Sequence, residues 1–321
     1  MKQLIFFVRD PGAYSAIFPL FVALSIEINV DCKLFCFGTA ASMNTAFSAS
    51  EYDVEKWLRE NIQSIDALIC GTGFNIEWEL SMMEKCKKYG ILTVAVLDYW
   101  NNYKKRFFYD GRVVWPDIYI VMDSIAKREA IEEGVPAHII RVLGHPGIDS
   151  VLKKKKIIHN STQVSRVLLL GQPISKDMGF GYDERDFFED CVSILELSNK
   201  DFRIKFHPRD EKGIRIRYGF YNIEGGLLDI AVQFDMVIGM TTIALLHTAL
   251  IGLNSISYQP GLSGKDVAIS NKLGLSKLIT SKDELLVFLL NPMFPHRKMP
   301  ANLLWMDGES TRRFVNFMKE L

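Results

Sequence analysis

The chain has 321 residues, of which 48% are hydrophobic and 24% are charged. These values are typical of a globular protein, exclude a disordered or collagen-like chain, and leave room for two domains with a core each. Lys and Arg together number 38, and so do Asp and Glu, so no net charge favours nucleic acid as a partner.

Cysteine usage and hydropathy indicate where the protein works. The cysteines are odd in number and several lie in apolar, strand-like runs, which predicts reduced core residues. The first apolar run, residues 4–8, is too short for the core of a signal peptide, and no stretch approaches the length of a membrane helix. A cytoplasmic location is therefore expected. The cysteines are Cys32, Cys36, Cys70, Cys86 and Cys191.

The first 150 residues alternate between strand-like and helix-compatible segments. Residues 4–8 form an apolar run, residues 9–15 contain a Pro-Gly turn, and residues 17–26 have apolar side chains at helical spacing. A strand, a glycine-containing turn and a helix open a doubly wound sheet, although this turn lacks the GxGxxG fingerprint. Residues 1–150 are therefore predicted to form a parallel α/β domain. Its further strands are predicted at 33–37, 67–70, 92–97, 118–122 and 140–143.

Acidic side chains lie in three loops at the predicted carboxyl ends of these strands, the edge at which open α/β sheets bind ligands. Asp98 directly follows residues 92–97, and its aromatic neighbours Tyr99 and Trp100, with nearby amides, suit a sugar; alternatively, Tyr99 and Trp100 fill the domain interface and Asp98 caps a helix. Asp98 is the first candidate for a catalytic base. Glu77, after the loop 71–75, is the second, against a plain helix N-terminal acid. Asp10, in the first turn, is the third.

The stretch after residue 143 is predicted to end this domain. His145 lies between Gly144 and Pro146, where a turn residue is more usual than a catalytic group. A lysine run at residues 153–156 and a polar stretch at residues 159–162 follow, which indicates a linker between domains. A peripheral contact between the lysine run and a membrane surface is the alternative.

A second α/β domain is predicted over residues 163–321. Three short apolar runs, residues 167–170, 202–206 and 236–238, have the composition of buried parallel strands, and each stops at a polar turn that contains Gly or Pro. Residues 311–321 have the pattern of a terminal helix. The chain is therefore predicted to contain two doubly wound domains.

The polar turns after residues 202–206 and 236–238 predict a nucleotide pocket. The first turn offers His and Arg donors to a base, a ribose or a phosphate. The second offers a glycine that permits close backbone approach, and two Thr residues at the expected start of a helix, where hydroxyl and N–H groups hold phosphate. An ordinary turn and a helix cap are the alternatives. The predicted nucleotide-binding residues are His207, Pro208, Arg209, Gly239, Thr241 and Thr242.

These two turns resemble the His-Pro motif and the paired Ser/Thr motif of bacterial sialyltransferases and polysialyltransferases, and of the related polyol-phosphate transferases that use CDP-linked donors. The resemblance covers two short motifs, His207-Pro208 and Thr241-Thr242. It implies a GT-B fold, in which two Rossmann-like domains face a cleft. The second domain would bind a cytidine nucleotide at His207 and its phosphate at the paired hydroxyls. The first would supply the acceptor site and the base, and the terminal helix often returns to it.

One position departs from the pattern of many GT-B enzymes, which carry a ribose-binding Glu a few residues into the helix after the phosphate turn. The nearest position here is His247, so the ribose contact would have to come from Asp235, Glu224 or a backbone group. The Gly-x-Pro-x-x-Asp pattern at residues 144–149 also resembles the end of the first domain in relatives of UDP-N-acetylglucosamine 2-epimerase.

The resemblance implies a glycosyltransferase that moves a sugar, with a CMP-linked acidic sugar as the first choice, from a nucleotide donor to a glycan acceptor for a bacterial surface polysaccharide. It would work in the cytoplasm, and at the inner face of the membrane if the lysine run contacts lipid. The sequence has no Asp-x-Asp triplet and no His/carboxylate cluster at metal-ligand spacing, so neither a metal nor a cofactor other than the donor is expected. The alternatives are a UDP-sugar 2-epimerase or hydrolase and a non-catalytic nucleotide-sugar-binding protein.

Overall fold

The computed structural model describes residues 1–73, 76–154, 164–294 and 303–321. It forms two compact units. Unit 1 consists of Met1–Lys153 together with Ala301–Leu321, and unit 2 consists of Lys154–Pro300. Most of the predicted linker, including the second half of the lysine run, lies outside the described residues.

Unit 1 is built on a parallel sheet of apolar strands. Its described strands are β1 (Lys2–Val8), β2 (Val30–Cys36), β3 (Ala67–Gly71), β4 (Leu92–Val96), β5 (Phe108–Tyr109), β6 (Arg112–Val113), β7 (Ile118–Val121) and β8 (Ile140–Val142). Six of them form the sheet in the order β2-β1-β3-β4-β7-β8, all paired in parallel. β5 and β6 form a separate antiparallel hairpin. Because the inner strands of a parallel sheet are buried on both faces, they are continuous apolar runs, whereas the edge strand β2 is fully buried only in its last three residues.

The helices of unit 1 connect these strands. Those in its first 153 residues are α1 (Pro11–Ser25), α2 (Gly38–Met43), α3 (Glu51–Asn61), α4 (Glu77–Lys88), α5 (Ser124–Glu132) and α6 (Pro146–Leu152). The start of α1 is set by its sequence. The carboxylate of Asp10 accepts the N–H of Ala13 at 2.9 Å, and Pro11 stands at a first-turn position that needs no N–H donor. α1 therefore begins directly after the loop that follows β1.

Unit 2 repeats this architecture with fewer strands. They are β9 (Arg166–Leu170), β10 (Asp201–Lys205), β11 (Met236–Gly239), β12 (Asn254–Tyr258) and β13 (Lys277–Ile279). Their order in the sheet is β10-β9-β11-β12-β13, with every pair parallel. The described helices of unit 2 are α7 (Glu184–Leu197), α8 (Lys212–Arg217), α9 (Leu227–Ala231), α10 (Ile243–Leu250), α11 (Ile269–Lys272) and α12 (Lys282–Leu290).

The last described helix, α13 (Ser310–Glu320), belongs to unit 1 although it follows unit 2 in sequence. Phe314, Val315 and Met318 of this helix are buried in the same core as the apolar faces of β1 and α1. Asp149, in the middle of α6, accepts the backbone N–H groups of Ser310 at 3.1 Å and Thr311 at 2.7 Å. A side chain from α6 thus caps α13 and ties it to unit 1.

The prediction of a mixed α/β chain with two Rossmann-like units and parallel sheets is confirmed. Every strand predicted from an apolar run is present, with ends that differ by at most three residues. The hairpin of β5 and β6 and the short helices α2, α9 and α11 were not predicted. Where the structure describes the chain, none of its helices combines the length and the apolar composition that crossing a membrane requires.

Candidate functional site

Each sheet has a point at which its strand order reverses, and ligands of open α/β sheets bind there, outside the carboxyl ends of the strands. In unit 1 this point lies between β1 and β3, which are neighbours in the sheet. In unit 2 it lies between β9 and β11. The predicted residue Asp10 follows β1, and the predicted residues Thr241 and Thr242 follow β11. The topology therefore marks one candidate site in each unit.

Asp98 lies in unit 1 after β4, the strand next to β3. It is 9% exposed, and its Oδ1 accepts a hydrogen bond from Nη1 of Arg106 at 2.6 Å. The nearly buried guanidinium of Arg106 also donates to the carbonyl of Thr72, which follows β3. Burial lowers the pKa of Arg106, but the surrounding charges, led by that of Asp98, raise it above its ordinary value. Asp98 is therefore an ion-paired carboxylate rather than a helix cap.

Two glycines allow Asp10 to approach Asp98. A Cβ atom on Gly12 would lie 2.5 Å from Oδ2 of Asp98 and 3.4 Å from Oδ1 of Asp10. A Cβ atom on Gly73 would lie only 1.6 Å from Oδ2 of Asp10. Neither position can carry a side chain without moving a carboxylate. The structure thus brings two of the three predicted acids together with Arg106, and we call Asp10, Asp98 and Arg106 the unit 1 carboxylate cluster.

Glu77, the third predicted acid, is placed differently. It is the first residue of α4 and its side chain is exposed, the position in which a helix favours an acid through its dipole. Glu79 is the buried acid of this helix, and its Oε1 accepts a hydrogen bond from Nε of Arg9 at 2.7 Å. Burial raises the pKa of Glu79 although Arg9 opposes this effect. As an exposed side chain, Glu77 lies outside the buried carboxylate cluster.

The aromatic residues after Asp98 pack into the interior. Trp100 is fully buried, and its Nε1 donates to Asp123 at 2.9 Å. The imidazole of His145 stacks against Trp100 with 6.2 Å between ring centroids and 7° between ring planes. The indole of Trp100 therefore has no accessible face on which a sugar could stack, and it packs against Trp305 within unit 1. Tyr99, which is half-buried, is the aromatic side chain nearest in sequence that reaches the surface.

His145 is a buried residue at the start of α6. Its Nε2 lies 3.3 Å from the backbone oxygen of Asp98, which fits an Nε2–H donor. Its Nδ1 is buried and has no hydrogen-bond partner among the described residues. Burial lowers the pKa of His145 to about 4. The neutral imidazole of His145 therefore donates a hydrogen bond to the backbone of the loop that contains Asp98.

In unit 2, Gln172 holds the loop that follows β11. Its Nε2 donates to Oγ1 of Thr241 at 2.9 Å, and its Oε1 accepts the backbone N–H of Thr241 at 2.9 Å. Thr242 is the N-cap of α10 and accepts the N–H of Ala244 at 3.3 Å. Gly239 contributes close packing, because a Cβ atom there would lie 3.2 Å from the methyl group of Thr242. The paired hydroxyls thus lie at a helix start, as expected for a phosphate site.

The predicted His-Pro turn follows β10, the neighbour of β9 on its other side. Nδ1 of His207 accepts the backbone N–H of Arg209 at 3.1 Å, so the neutral ring carries its proton on Nε2 as a donor. The backbone N–H of His207 donates to Oδ2 of Asp210 at 2.6 Å. The side chains of Pro208 and Arg209 are exposed. Because β9 separates β10 from β11, the His207 loop and the Thr241 loop flank the loop that contains Gln172.

The residues considered for a ribose contact do not all lie at this edge. Oδ2 of Asp235 accepts the backbone N–H groups of Ser165 at 2.9 Å and Arg166 at 2.8 Å, at the amino ends of β9 and β11. Asp235 is therefore at the wrong end of the sheet for the nucleotide. Glu224, by contrast, lies near the carboxyl end of β10. The side chain of Lys205, the last residue of β10, donates to the carbonyl of Gly225, which follows Glu224. The carboxylate of Glu224 accepts a hydrogen bond from Asn222.

Three functional candidates were missed by the reasoning from sequence. Arg106 lies eight residues after Asp98, and nothing in the intervening loop indicates that the chain turns back. Gln172 follows the apolar run of β9 directly, and the same strand-end rule that identified His207 would have found it. Asp210, next to the predicted His-Pro-Arg turn, is conspicuous only once its burial is known. In the part of the chain that the structure describes, no three His, Cys, Asp or Glu side chains form a group that could hold a metal ion.

No protein-family model matches the sequence, and no curated protein sequence matches it either. Solved structures do match over the whole chain. The UDP-GlcNAc 2-epimerase of Methanocaldococcus jannaschii, in complex with UDP-GlcNAc and UDP, superposes with a TM-score of 0.72 at 15% identity, over 100% of both chains. The UDP-GlcNAc 2-epimerase of Neisseria meningitidis, bound to UDP-GlcNAc, gives 0.71 at 12% identity, again over 100% of both chains.

A glycosyltransferase is also among the similar structures. The lipopolysaccharide outer core galactosyltransferase WaaB, in its apo form, superposes with a TM-score of 0.57 at 15% identity over 99% of this chain and 100% of its own. At these identities the likeness concerns the fold alone. Together with the two parallel sheets it identifies the GT-B fold, which epimerases and glycosyltransferases share.

Proposed function

We propose that this protein is a nucleotide-sugar-dependent glycosyltransferase whose unit 2 binds the nucleotide and whose unit 1 supplies the base. The observation that carries the proposal is the arrangement in unit 2. Three neighbouring strands, β10, β9 and β11, end in loops that carry a His207 Nε2–H donor, the amide of Gln172 and the Thr241–Thr242 pair at the start of α10, and the Gln172 amide holds the buried Thr241. Donors of this kind at the carboxyl edge of a parallel sheet suit a diphosphate or monophosphate nucleotide.

The unit 1 carboxylate cluster supports the catalytic half of the proposal. An acceptor hydroxyl that attacks an anomeric carbon must lose its proton to a nearby base. Asp98 has one oxygen engaged by Arg106, and its other oxygen faces Gly12 and the Asp10 side. We assign Asp98 as the first candidate for this base and Asp10 as the second. The exposed Glu77 is the third.

The donor that the sequence motifs favour is a CMP-linked acidic sugar, and a glycan of a bacterial surface polysaccharide is the corresponding acceptor. The charge of the departing phosphate would be stabilised by His207, Arg209 and the start of α10, without a metal ion.

A second candidate function is a UDP-sugar 2-epimerase or hydrolase. It is favoured by the fold comparison, since structures described as UDP-GlcNAc 2-epimerases superpose more closely than the galactosyltransferase does. Such an enzyme needs no acceptor. Product analysis separates the two functions, because an epimer or a free sugar from the donor alone indicates the second, whereas acceptor-dependent release of nucleotide indicates the first.

The first experiment is calorimetric titration with CMP, CDP, UDP and GDP, followed by the same titration of two variants. His207→Ala and the paired change Thr241→Ala with Thr242→Val should each weaken binding of the preferred nucleotide. The expected loss is about 1 to 3 kcal/mol for each polar contact to a charged group. Gly219→Ala is a suitable control, because Gly219 is exposed and a Cβ atom there would meet nothing within 4 Å.

The melting temperatures of these variants identify the cause of any loss. A binding role predicts that ligand-free stability changes little and that the stabilisation by nucleotide is reduced. A His207 that serves only as a turn residue would instead lower the ligand-free stability and leave the affinity unchanged. Tight nucleotide binding without turnover, across a broad panel of donors and acceptors, would identify a non-catalytic binding protein.

A further inference from the structure

Two buried carboxyl groups lie directly beneath the His207 loop in unit 2. Asp210 is 5% exposed, and Glu184, the first residue of α7, is 8% exposed. Oδ2 of Asp210 accepts the backbone N–H of His207 at 2.6 Å, and Oε1 of Glu184 accepts the backbone N–H of Glu211 at 3.1 Å. Because Glu211 directly follows Asp210 in the chain, this contact makes the two buried carboxyl groups neighbours, and the charge of Glu184 helps to raise the pKa of Asp210. We call Asp210 and Glu184 the carboxyl pair.

The remaining oxygens of the carboxyl pair require a proton. Oδ1 of Asp210 and Oε2 of Glu184 are both buried, and neither accepts a hydrogen bond from a described residue. An ionised carboxylate can only accept hydrogen bonds, so two of them in contact leave both oxygens unsatisfied and repel each other. One proton between the groups turns this repulsion into a hydrogen bond. The geometry therefore favours a singly protonated pair.

The charged residues around the carboxyl pair do not replace the shared proton. On the Asp210 side, Arg215 of α8 is the neighbouring cation, but its Nη1 is engaged with the carbonyl of His207 at 3.3 Å. On the Glu184 side, the charged neighbours Asp183, Glu211 and Arg185 include more acids than bases. Burial raises the pKa of Asp210 to about 7, although the His207 N–H lowers it, and burial also raises the pKa of Glu184.

The surroundings leave Asp210 little space to move on its own. A Cβ atom on Gly171, the residue after β9, would lie 1.9 Å from Oδ2 of Asp210 and 2.8 Å from the backbone nitrogen of His207. Asp210, the His207 backbone and the Gly171 turn are thus in direct contact. A displacement of the Asp210 carboxylate must therefore move the His207 loop.

We propose that Asp210 and Glu184 are positioning residues for nucleotide binding: they share one proton, and the protonated pair holds the His207 loop in the geometry that binds the nucleotide. The inference rests on the proposed function, because it concerns the same site. Loss of the shared proton leaves two adjacent buried charges, which push Asp210 and the attached His207 N–H out of place. Nucleotide affinity is then reduced by the fraction of molecules that have lost the proton.

The test is calorimetric titration of the full-length protein between about pH 7 and pH 8.5. The ligand is UDP or CMP, whichever of the two nucleotides the wild-type protein binds more tightly. This window lies above the second ionisation of a phosphate, at about pH 6, and above that of an ordinary histidine, at about 6.5. We expect the Kd of wild-type protein to rise about tenfold across the window. In Asp210→Asn, the amide oxygen still accepts the His207 N–H and the amide NH2 donates to Glu184. The Kd of this variant should therefore change less than about twofold.

Three further variants make the result specific. Glu184→Gln should also remove the pH dependence, because its amide can donate to Asp210. Asp210→Ala should weaken binding at every pH, because it removes the acceptor of the His207 N–H. Glu189→Gln is the matched control, since this exposed carboxylate of α7 pairs with Arg217 and the variant should keep the wild-type pH profile.

The outcomes separate the positioning role from the proposed function. Wild-type affinity that does not depend on pH, or an Asp210→Asn variant that loses affinity as Asp210→Ala does, would overturn the positioning role alone. A wild-type protein that binds neither UDP nor CMP at any pH would overturn the proposed function and the positioning role with it.

Discussion

Asp98 is nearly buried and forms an ion pair with Arg106. This ion pair decides which oxygen of Asp98 can act as a base. Oδ1 is held by Arg106 at 2.6 Å, whereas Oδ2 points toward Gly12. A buried guanidinium without a partner is costly, so Arg106 also fixes the orientation of the carboxylate. The contact with Arg106 therefore holds Asp98 in place and leaves Oδ2 as the oxygen that can accept a proton. Asp10, which caps α1 and also lies near Gly12, is the second candidate for the role.

Replacing Asp98 by Asn should preserve the shape of the side chain and remove the proton acceptor. We expect turnover to fall by about 100-fold to 10,000-fold, the usual range for loss of a general base. Nucleotide affinity should be unchanged, because the binding residues belong to unit 2. Initial-rate measurements together with nucleotide titration test this expectation.

Glu77→Gln provides the comparison for Asp98→Asn, because Glu77 is an exposed acid of the same unit. Its turnover should remain within about twofold of wild type, as for a surface substitution away from the reacting groups. Near-normal turnover of Asp98→Asn would transfer the assignment to Asp10, and a large loss in Glu77→Gln would contradict the ranking of Asp98 and Asp10 above Glu77.

The sequence predicted the carboxylates of unit 1 better than it predicted their partners. Asp10 and Asp98 were identified because each directly follows an apolar run, and a residue at a strand end has a known location in an α/β sheet. Arg106 is different, since its position depends on how the loop after Asp98 folds back over Thr72. The burial of Trp100 was likewise unpredictable, because it results from packing against Trp305, about two hundred residues away in sequence.

At the scale of elements, α13 depends on a side chain that it does not contain. The residue before the helix makes no side-chain cap, and both oxygens of Asp149 from α6 accept N–H groups in its first turn. Gly144, whose φ of +99° suits glycine, packs against Ser310 so closely that a Cβ atom would lie 2.2 Å from its Oγ. α6 and α13 therefore stabilise each other at one point.

Asp149→Ala should destabilise unit 1 by about 1.5 to 3 kcal/mol, the range for loss of a buried charged acceptor. Urea denaturation followed by tryptophan fluorescence tests this expectation, because Trp305 and Trp100 are buried in unit 1. Glu309→Ala is the control. Its exposed ion pair with Arg312 should contribute less than about 1 kcal/mol. Equal midpoints for Asp149→Ala and wild type would mean that other contacts hold α13.

The elements that the sequence predicted best are the long apolar strands and the helices between them. β1, β3, β4, β7, β9 and β11 are largely continuous runs of apolar residues, and this composition allows few other structures. The β5–β6 hairpin escaped prediction because each strand has only two residues. The helix α6 was assigned to a turn and linker, since Pro146 and Gly147 indicate a turn, whereas Pro at the first position also starts a helix.

At the scale of the whole molecule, the two units carry buried groups that titrate in opposite senses. His145 in unit 1 has its pKa lowered to about 4 by burial, so the unfolded chain binds the proton more tightly than the folded unit does. Asp210 in unit 2 has its pKa raised from 3.8 to about 7 by burial, so the folded unit binds the proton more tightly. Acid should therefore destabilise unit 1 relative to unit 2.

As the pH rises from about 4 to 6.5, His145 should add stability to unit 1, by about 3 kcal/mol if the full shift is realised. Over the range from about 4 to 7, Asp210 should remove stability from unit 2. Calorimetric unfolding at a series of pH values should show the two transitions moving in opposite directions. His145→Gln should flatten the first dependence and Asp210→Asn the second. Transitions that shift in parallel in all three proteins would contradict both assignments.

The return of α13 to unit 1 also sets an order of events during synthesis. When residues 1–153 leave the ribosome, they lack Phe314 and Met318, which complete the core around β1 and α1. Unit 2 is contiguous in sequence and can fold as soon as it emerges, at roughly 5 to 20 residues per second. Unit 1 must remain incomplete for the time taken to make unit 2, with an apolar surface exposed. The first unit to be translated is thus the last to be finished, and a chaperone that covers this surface would be needed most during that interval.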